Sequence, residues 1–301
     1  MKYRMISSMC IAMAVVLAAI TSQAQSLQHL LPPKIAHRAI APTGGNHTRP
    51  VTTSASVNCA HTFTVPGKLN GFLQFCVTVN GNITSFQSPS GFDYIQQNGP
   101  WEGYGICDLS NANPNTNSYF DYTFDNASWY DPVELSITAS AVKIARTTLD
   151  GAFTLTQTIS KQAVPSPYAK VTMSIKNNSG ITKNVYLLRF ADVDPQNAAI
   201  TGDFNESFDS SQYSAWGYTP LNYSGPNAAG LGMLIEELGQ PNVPYGFEGL
   251  SINRADGVDP CAPTALYGGY QAAVDGGIEM LWVLQIGPGK TATVNAKYAQ
   301  F

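Results

Sequence analysis

The sequence predicts an all-β fold: a large antiparallel two-sheet β-sandwich, one domain of roughly a dozen strands, behind a signal peptide and a flexible leader. Two observations carry this. From Cys59 onward, apolar and polar residues alternate with period 2, and the polar side is written largely in Thr and Ser. These runs are punctuated by Gly, Pro and Asn pairs that suit tight turns. Alternation of this kind describes antiparallel sheets with one face in water. Only "GMLIEELG" reads as well for a short helix as for a strand.

The start of the chain explains its compartment. "MKYRMISSMCIAMAVVLAAITSQAQS" has Lys2 and Arg4, an apolar core from Ile11 to Ile20, and small residues at Ser22 and Ala24. That is the layout of a secretory signal over residues 1–24. The core is shorter than the ~20 residues a membrane helix needs, and no later run is long enough. Residues 25–58, rich in Pro, Thr, Ser and Gly, read as a flexible leader, with the sandwich over 59–301. The protein is therefore expected outside the cytoplasm, secreted or periplasmic.

Within 59–301 the turns come in order. "VPGKLNG" separates two runs flanked by Cys59 and Cys76, and Asn80-Gly81 and Asp150-Gly151 each sit between alternating strands. "AKVTMSIKNNSGITKNVYLL" is expected as a further hairpin, with Val171, Met173 and Ile175 inward. "EMLWVLQIGPGKTATVNAKY" is expected to turn at Pro288-Gly289, with Val294, Ala296 and Tyr298 on one side. Two smaller sandwiches divided near Pro195 to Gln212 are the alternative organisation.

Four cysteines follow the signal, an even number that in an exported chain favours two disulfides. Cys59 and Cys76 flank one turn, which leaves Cys107 for Cys261 and favours one unit over two. No Cys-x-x-Cys occurs, so a thiolate metal site is disfavoured.

Charge and histidine exclude whole classes of function. The chain is 12% charged with a formal net charge of −4, and loss of Lys2 and Arg4 makes the remainder more acidic. Without a Lys/Arg cluster, nucleic-acid binding has no electrostatic footprint. All four histidines precede residue 62, so only His61 is available to imidazole chemistry in the folded part.

Two stretches remain as candidates for function. Phe86 to Asp131 holds eleven aromatic residues in 46, with Glu102, Asp108, Asp121 and Asp125 among them. Aromatic faces stack on the C–H patches of sugars while carboxylates take the hydroxyl hydrogens, so this composition points to a glycan. The candidate ligand-binding residues are Trp101, Glu102, Tyr104, Asp121, Trp129 and Trp216. The competing reading is that the aromatics simply fill the core. A pair of acids drawn from Glu102, Asp108, Asp121 and Glu248 would be needed for glycosidic cleavage.

The second stretch, "RFADVDPQNAAITGDFNESFDSSQ", carries five carboxylates in 24 residues. Its spacing departs from an EF-hand, since Asn197 stands where the glycine belongs and Asp203 where the bidentate glutamate belongs. A looser calcium site from Asp192, Asp194, Asn197 and Asp203 is the metal candidate. The rival is an acidic loop at the sandwich end, after a strand in which Tyr186, Leu188 and Phe190 share one face.

"VTMSIKNNSGITKNVYLL" resembles a segment of immunoglobulin-like modules of bacterial surface proteins and of galactose-mutarotase-like sandwiches. "GPGKTATVNAKY" is similar to closing hairpins in the same groups. The resemblance implies a sandwich and carries over no catalytic residue. The functional expectation is an exported, disulfide-stapled sandwich that binds glycan or cell-surface polysaccharide. A structural or adhesive module without a small ligand, and a carbohydrate-active enzyme with paired carboxylates, are the alternatives.

Overall fold

A computed structural model of the chain describes residues 58–68, 71–95, 102–111, 113, 117–122, 127–195, 206–211, 214–219, 231–239, 247–252, 259–261, 266–267, 271–274 and 277–300. Residues 1–57, which hold the signal and all but the last residue of the leader, lie outside these residues, as do Trp101, Asp125, Asn197 and Asp203. Eighteen strands and no helix are present among them. All pairings are antiparallel, within three sheets.

The larger layer is a nine-stranded sheet. Its order is β16 (Gln271–Val274), β11 (Glu206–Ser211), β12 (Ser214–Tyr218), β13 (Gly232–Glu237), β18 (Thr291–Gln300), β9 (Tyr168–Asn177), β8 (Phe153–Gln162), β7 (Ala141–Thr147) and β6 (Val133–Ile137). The facing layer has six: β15 (Leu266–Tyr267), β14 (Phe247–Ile252), β17 (Gly277–Ile286), β10 (Lys183–Asp192), β4 (Glu102–Asp108) and β5 (Ser118–Asp121). A third sheet, β1 (His61–Val65), β2 (Leu73–Val77) and β3 (Ile83–Gln87), contributes Phe63, Phe75 and Phe86 to the same core. The two-sheet sandwich is thus present and carries an extra small sheet.

Alternation does the sorting. In β9, Val171, Met173 and Ile175 are buried against the facing sheet, while Thr172 and Ser174 lie on the outer side. There they hydrogen-bond Asn295 and Thr293 of β18. Each polar side chain thereby satisfies a neighbour across the ladder. "GMLIEELG" is strand β13, with Met233 and Ile235 in the core. β10 and β17 are different: both faces are buried, which explains their almost unbroken apolar sequences.

The turns at Asn80-Gly81 and Asp150-Gly151 close hairpins, and Gly81 at φ 88° needs the freedom that only glycine has cheaply. The two later hairpins are not formed. β9 pairs with β8 and β18, whereas β10 pairs with β4 and β17, so "KNNSGIT" crosses from one sheet to the other. "GPGK" likewise carries β17 of one sheet into β18 of the other. Period-2 patterning and Gly/Pro chemistry are the same at a hairpin and at a sandwich corner, so they cannot distinguish the two. Asn177 joins these corners. Its amide donates to the carbonyls of Ile181 at 2.7 Å and Ile286 at 2.8 Å, and its own N–H bonds Lys290 O.

Two disulfides close the structure: Cys59–Cys76, tying the chain ahead of β1 to β2, and Cys107–Cys261, tying β4 to the segment 259–261. In the stretch from Arg189, β10 ends at Asp192, and Glu206 and Asp209 belong to strand β11 instead of a loop.

Candidate functional site

The acids and aromatics singled out in the sequence divide between the interior and the surface. Glu102 and Tyr104 on β4 and Asp121 on β5 point into the space between the two large sheets, each with 0% exposure. Glu102 meets Arg189 of β10, whose Nε lies 2.7 Å from Oε1 and Nη2 2.9 Å from Oε2. The Tyr298 hydroxyl of β18 donates to the same carboxylate at 2.6 Å, and Ile83 N–H donates to it too. Arg189 reaches further, to Gln157 of β8 and to Gly81 O.

A second ion pair lies alongside. Arg146 of β7 holds Asp121 at 2.6 Å and touches the Tyr104 hydroxyl, while Asn80 and Asn82 donate to Asp121. Trp129 is buried at the edge of this cluster. Its ring stands edge-on to Tyr104 with the Arg146 guanidinium above it, and its N–H bonds Phe120 O. Burial works against the charge on Arg189, yet Glu102 and Tyr298 hold its pKa above the ordinary value. Burial pushes Glu102 upward, against the pull of Arg189, the Tyr298 hydroxyl and the Ile83 amide. Every donor and acceptor here faces another protein group, so the chemistry of this cluster is to fix the two sheets in register.

The other candidates stand elsewhere. Asp108 pairs with Lys183 at the end of the six-stranded sheet. Glu248 lies in β14 opposite Leu281 in the backbone register. His61 bonds Glu134 at 2.7 Å. Asp192 and Asp194 are both buried. Among the described residues, no group of three or more His, Cys, Asp or Glu side chains is placed to hold a metal ion.

Trp216 is half-buried on the outer face of the nine-stranded sheet. Its neighbours Ala215 and Gly217 are buried on the core side, which sends Trp216 outward with Ser214 and Tyr218. In the register it lies opposite Asp209 of β11 and Leu234 of β13. Tyr218, two residues along and half-buried, shares this face, about 7 Å away by strand rise. The rest of the face, toward β8, is the Thr- and Ser-rich side of the sheet.

Two charged residues matter that sequence reasoning missed. Arg189 stands inside "VYLLRFA" and Glu279 inside "GIEMLWVL", each the sole charge in that apolar run. That isolation is itself the signal, because a buried charge must be paired or neutralised. Arg189 is paired. Glu279 has no exposure, and neither carboxyl oxygen has a hydrogen-bond partner among the described residues.

No protein-family profile matches the chain, and no curated protein matches its sequence. Its fold is similar to several solved structures at low identity. A protein provisionally described as an aldose 1-epimerase of Escherichia coli K12 aligns at 9% identity over 80% of this chain and 99% of its own, with a TM-score of 0.45. A bacterial glucoamylase complexed with acarbose aligns at 10% over 82% of this chain, with a TM-score of 0.49, and only 32% of the glucoamylase is covered. A galactose mutarotase-like protein from Lactobacillus casei aligns at 10% over 80% of this chain and 100% of its own, with a TM-score of 0.40. These neighbours are carbohydrate-related by description, and at such scores the likeness carries no statement of activity for this chain.

Proposed function

We propose that this protein is an exported glycan-binding β-sandwich and that the outer face of the nine-stranded sheet, around Trp216, is its binding surface. The observation that supports this is the half-exposed Trp216 on an otherwise Thr- and Ser-rich sheet face, with Tyr218 beside it. Aromatic rings on a rigid sheet offer flat apolar area at low entropic cost, and Asp209 opposite supplies a carboxyl for hydroxyl groups. Glu102, Tyr104, Asp121 and Trp129 support that surface from inside as packing and register residues. The two disulfides fit an oxidising compartment, and no helix among the described residues is long and apolar enough to cross a membrane.

A glycan array with the wild type and Trp216→Ala tests this reading. Binding by the wild type and at least tenfold weaker binding by the variant are expected. An array with no bound glycan favours a structural or adhesive module.

A further inference from the structure

The outer face of the nine-stranded sheet carries its charge unevenly. Lys143 of β7, Lys170 and Lys176 of β9 and Lys297 of β18 each stand between two buried neighbours in their strands, which sends all of them outward. On the described strands β13, β18, β9, β8 and β7, the one acid on that side is Glu236, and Lys297 holds it at 2.5 Å. The chain as a whole has a formal net charge of −4, so this face runs against the balance of the protein. No single stretch of sequence shows the group, because separate strands bring it together.

Lys170 lies directly opposite Lys297 in the antiparallel register, which places their Cβ atoms about 5 Å apart. Like charges so placed destabilise a strand pair. Further along the same ladder, opposite residues suit each other: Thr172 donates to Asn295, and Ser174 bonds Thr293. Lys297 is taken up by Glu236, and Lys170 forms no ion pair among the described residues. An unfavourable pair on a wet face, where almost any substitution would relieve it, points to a use outside the fold. Its surroundings are those of the Trp216 surface. Trp216 lies opposite Leu234, Leu234 opposite Ala299, and Ala299 is two residues from Lys297 on the same outward side. Half-buried Tyr168 stands two residues from Lys170, about 7 Å away by strand rise.

Resting on the reading that this face binds glycan, we propose that its ligand is an acidic polysaccharide of the polyuronate class, with a carboxylate held at Lys170. The ammonium group of lysine donates three hydrogen bonds and attracts a carboxylate as a point charge. The remaining cations are spread out. Lys143 faces Thr158, which faces Thr172, so it stands two strands and one step from Lys170, roughly 12 Å away. Between them lie the hydroxyls of Thr158, Ser160 and Thr172. Sparse charge among hydroxyls suits a polymer with one carboxylate per ring and hydroxyls on every ring. Densely charged chains, nucleic acid or heavily sulfated glycan, are met by clustered cations and by forked guanidinium groups. Among the described residues, Arg146 and Arg189 both point inward, away from this face. A single exposed ion pair adds little, so affinity comes from several rings engaging the face at once.

Isothermal titration of the full protein with oligomers of galacturonate, glucuronate and mannuronate, each also as its methyl ester, tests the inference. At least one acid oligomer binds at least tenfold more tightly than its ester, and that binding weakens as sodium chloride is raised. Lys170→Gln weakens it at least tenfold without lowering Tm, because the substitution removes a like charge opposite Lys297. No acid oligomer bound at millimolar concentration, no effect of Lys170→Gln, or tighter binding of heparin or a DNA oligomer overturns it. A lowered Tm for Lys170→Gln does so too, since Lys170 is then held by the fold. The two readings fail separately. An ester bound as tightly as its acid, and lost in Trp216→Ala, keeps the glycan surface and removes only this inference. Acid binding lost in Lys170→Gln and untouched in Trp216→Ala keeps the inference and takes Trp216 out of the surface.

Discussion

The Arg189 guanidinium grips the Glu102 carboxylate through two nitrogens, with neither side chain reaching solvent. The pair bridges β10 and β4 of one sheet and, through Tyr298 and Gln157, reaches β18 and β8 of the other. A forked guanidinium bonds both carboxylate oxygens at once, so it fixes orientation as well as distance. A one-residue slip of β4 or β10 in its pairing register would turn Glu102 or Arg189 to the outer face of the sheet.

Removing one partner of such a pair leaves an uncompensated buried charge. Arg189→Met is expected to cost about 3–5 kcal/mol in urea unfolding. The double variant Arg189→Met/Glu102→Leu is expected to recover part of that loss, because no orphaned carboxylate remains. A double variant no more stable than the single one would mean that packing around Arg189, not its charge, holds the sheets.

Glu279 gives stability a specific pH dependence. Its carboxyl has an ordinary value of 4.5 when unfolded and titrates at about 8 when folded. Between these two values the folded state holds one more proton, so stability falls as pH rises, by at most about 1.4 kcal/mol per unit. Below pH 4.5 both states are protonated and the contribution is fully present; above about 8 it is gone. Melting curves from pH 5 to 8 should fall more steeply for the wild type than for Glu279→Gln. Parallel curves would show that the carboxyl is ionised in the folded protein.

The strands, the two large sheets and the inward residues were legible because alternation records them directly, as at Val171, Met173 and Ile175. The connections at "KNNSGIT" and "GPGK" were not, because a corner and a hairpin use the same turn residues and differ only in distant partners. Glu102 and Asp121 looked like ligand groups, since an acid beside aromatics reads alike in a cleft and in a core. Their cations, Arg189 and Arg146, stand 87 and 25 positions away, and local pattern does not bridge that separation. Trp216 was legible as a candidate by its type, and its outward direction follows from the small residues Ala215 and Gly217 on either side.

The two disulfides close loops of different length, with sequence separations of 154 for Cys107–Cys261 and 17 for Cys59–Cys76. Chain-entropy reasoning assigns roughly 5 kcal/mol to the long loop and roughly 3 to the short one. The pair of variants Cys107→Ser/Cys261→Ser is therefore expected to lose more stability than Cys59→Ser/Cys76→Ser. The reverse order in denaturant unfolding would place the weight on local packing of β1 and β2.

Two tryptophans give a clean separation between packing and binding. Trp282 is fully buried between the sheets, with its N–H donating to Glu237 at 2.7 Å. Replacement by Ala leaves a cavity and takes one hydrogen-bond donor from Glu237, at an expected cost of about 3–5 kcal/mol. Trp216 is half-exposed on the wet face, so Trp216→Ala is expected to cost about 1 kcal/mol or less. The same substitution should weaken glycan binding at least tenfold, because Trp216 supplies the larger of the two aromatic faces on that strand and Tyr218 only the smaller. A stability loss at Trp216 as large as that at Trp282 would make its ring a core residue and take the binding surface away from it.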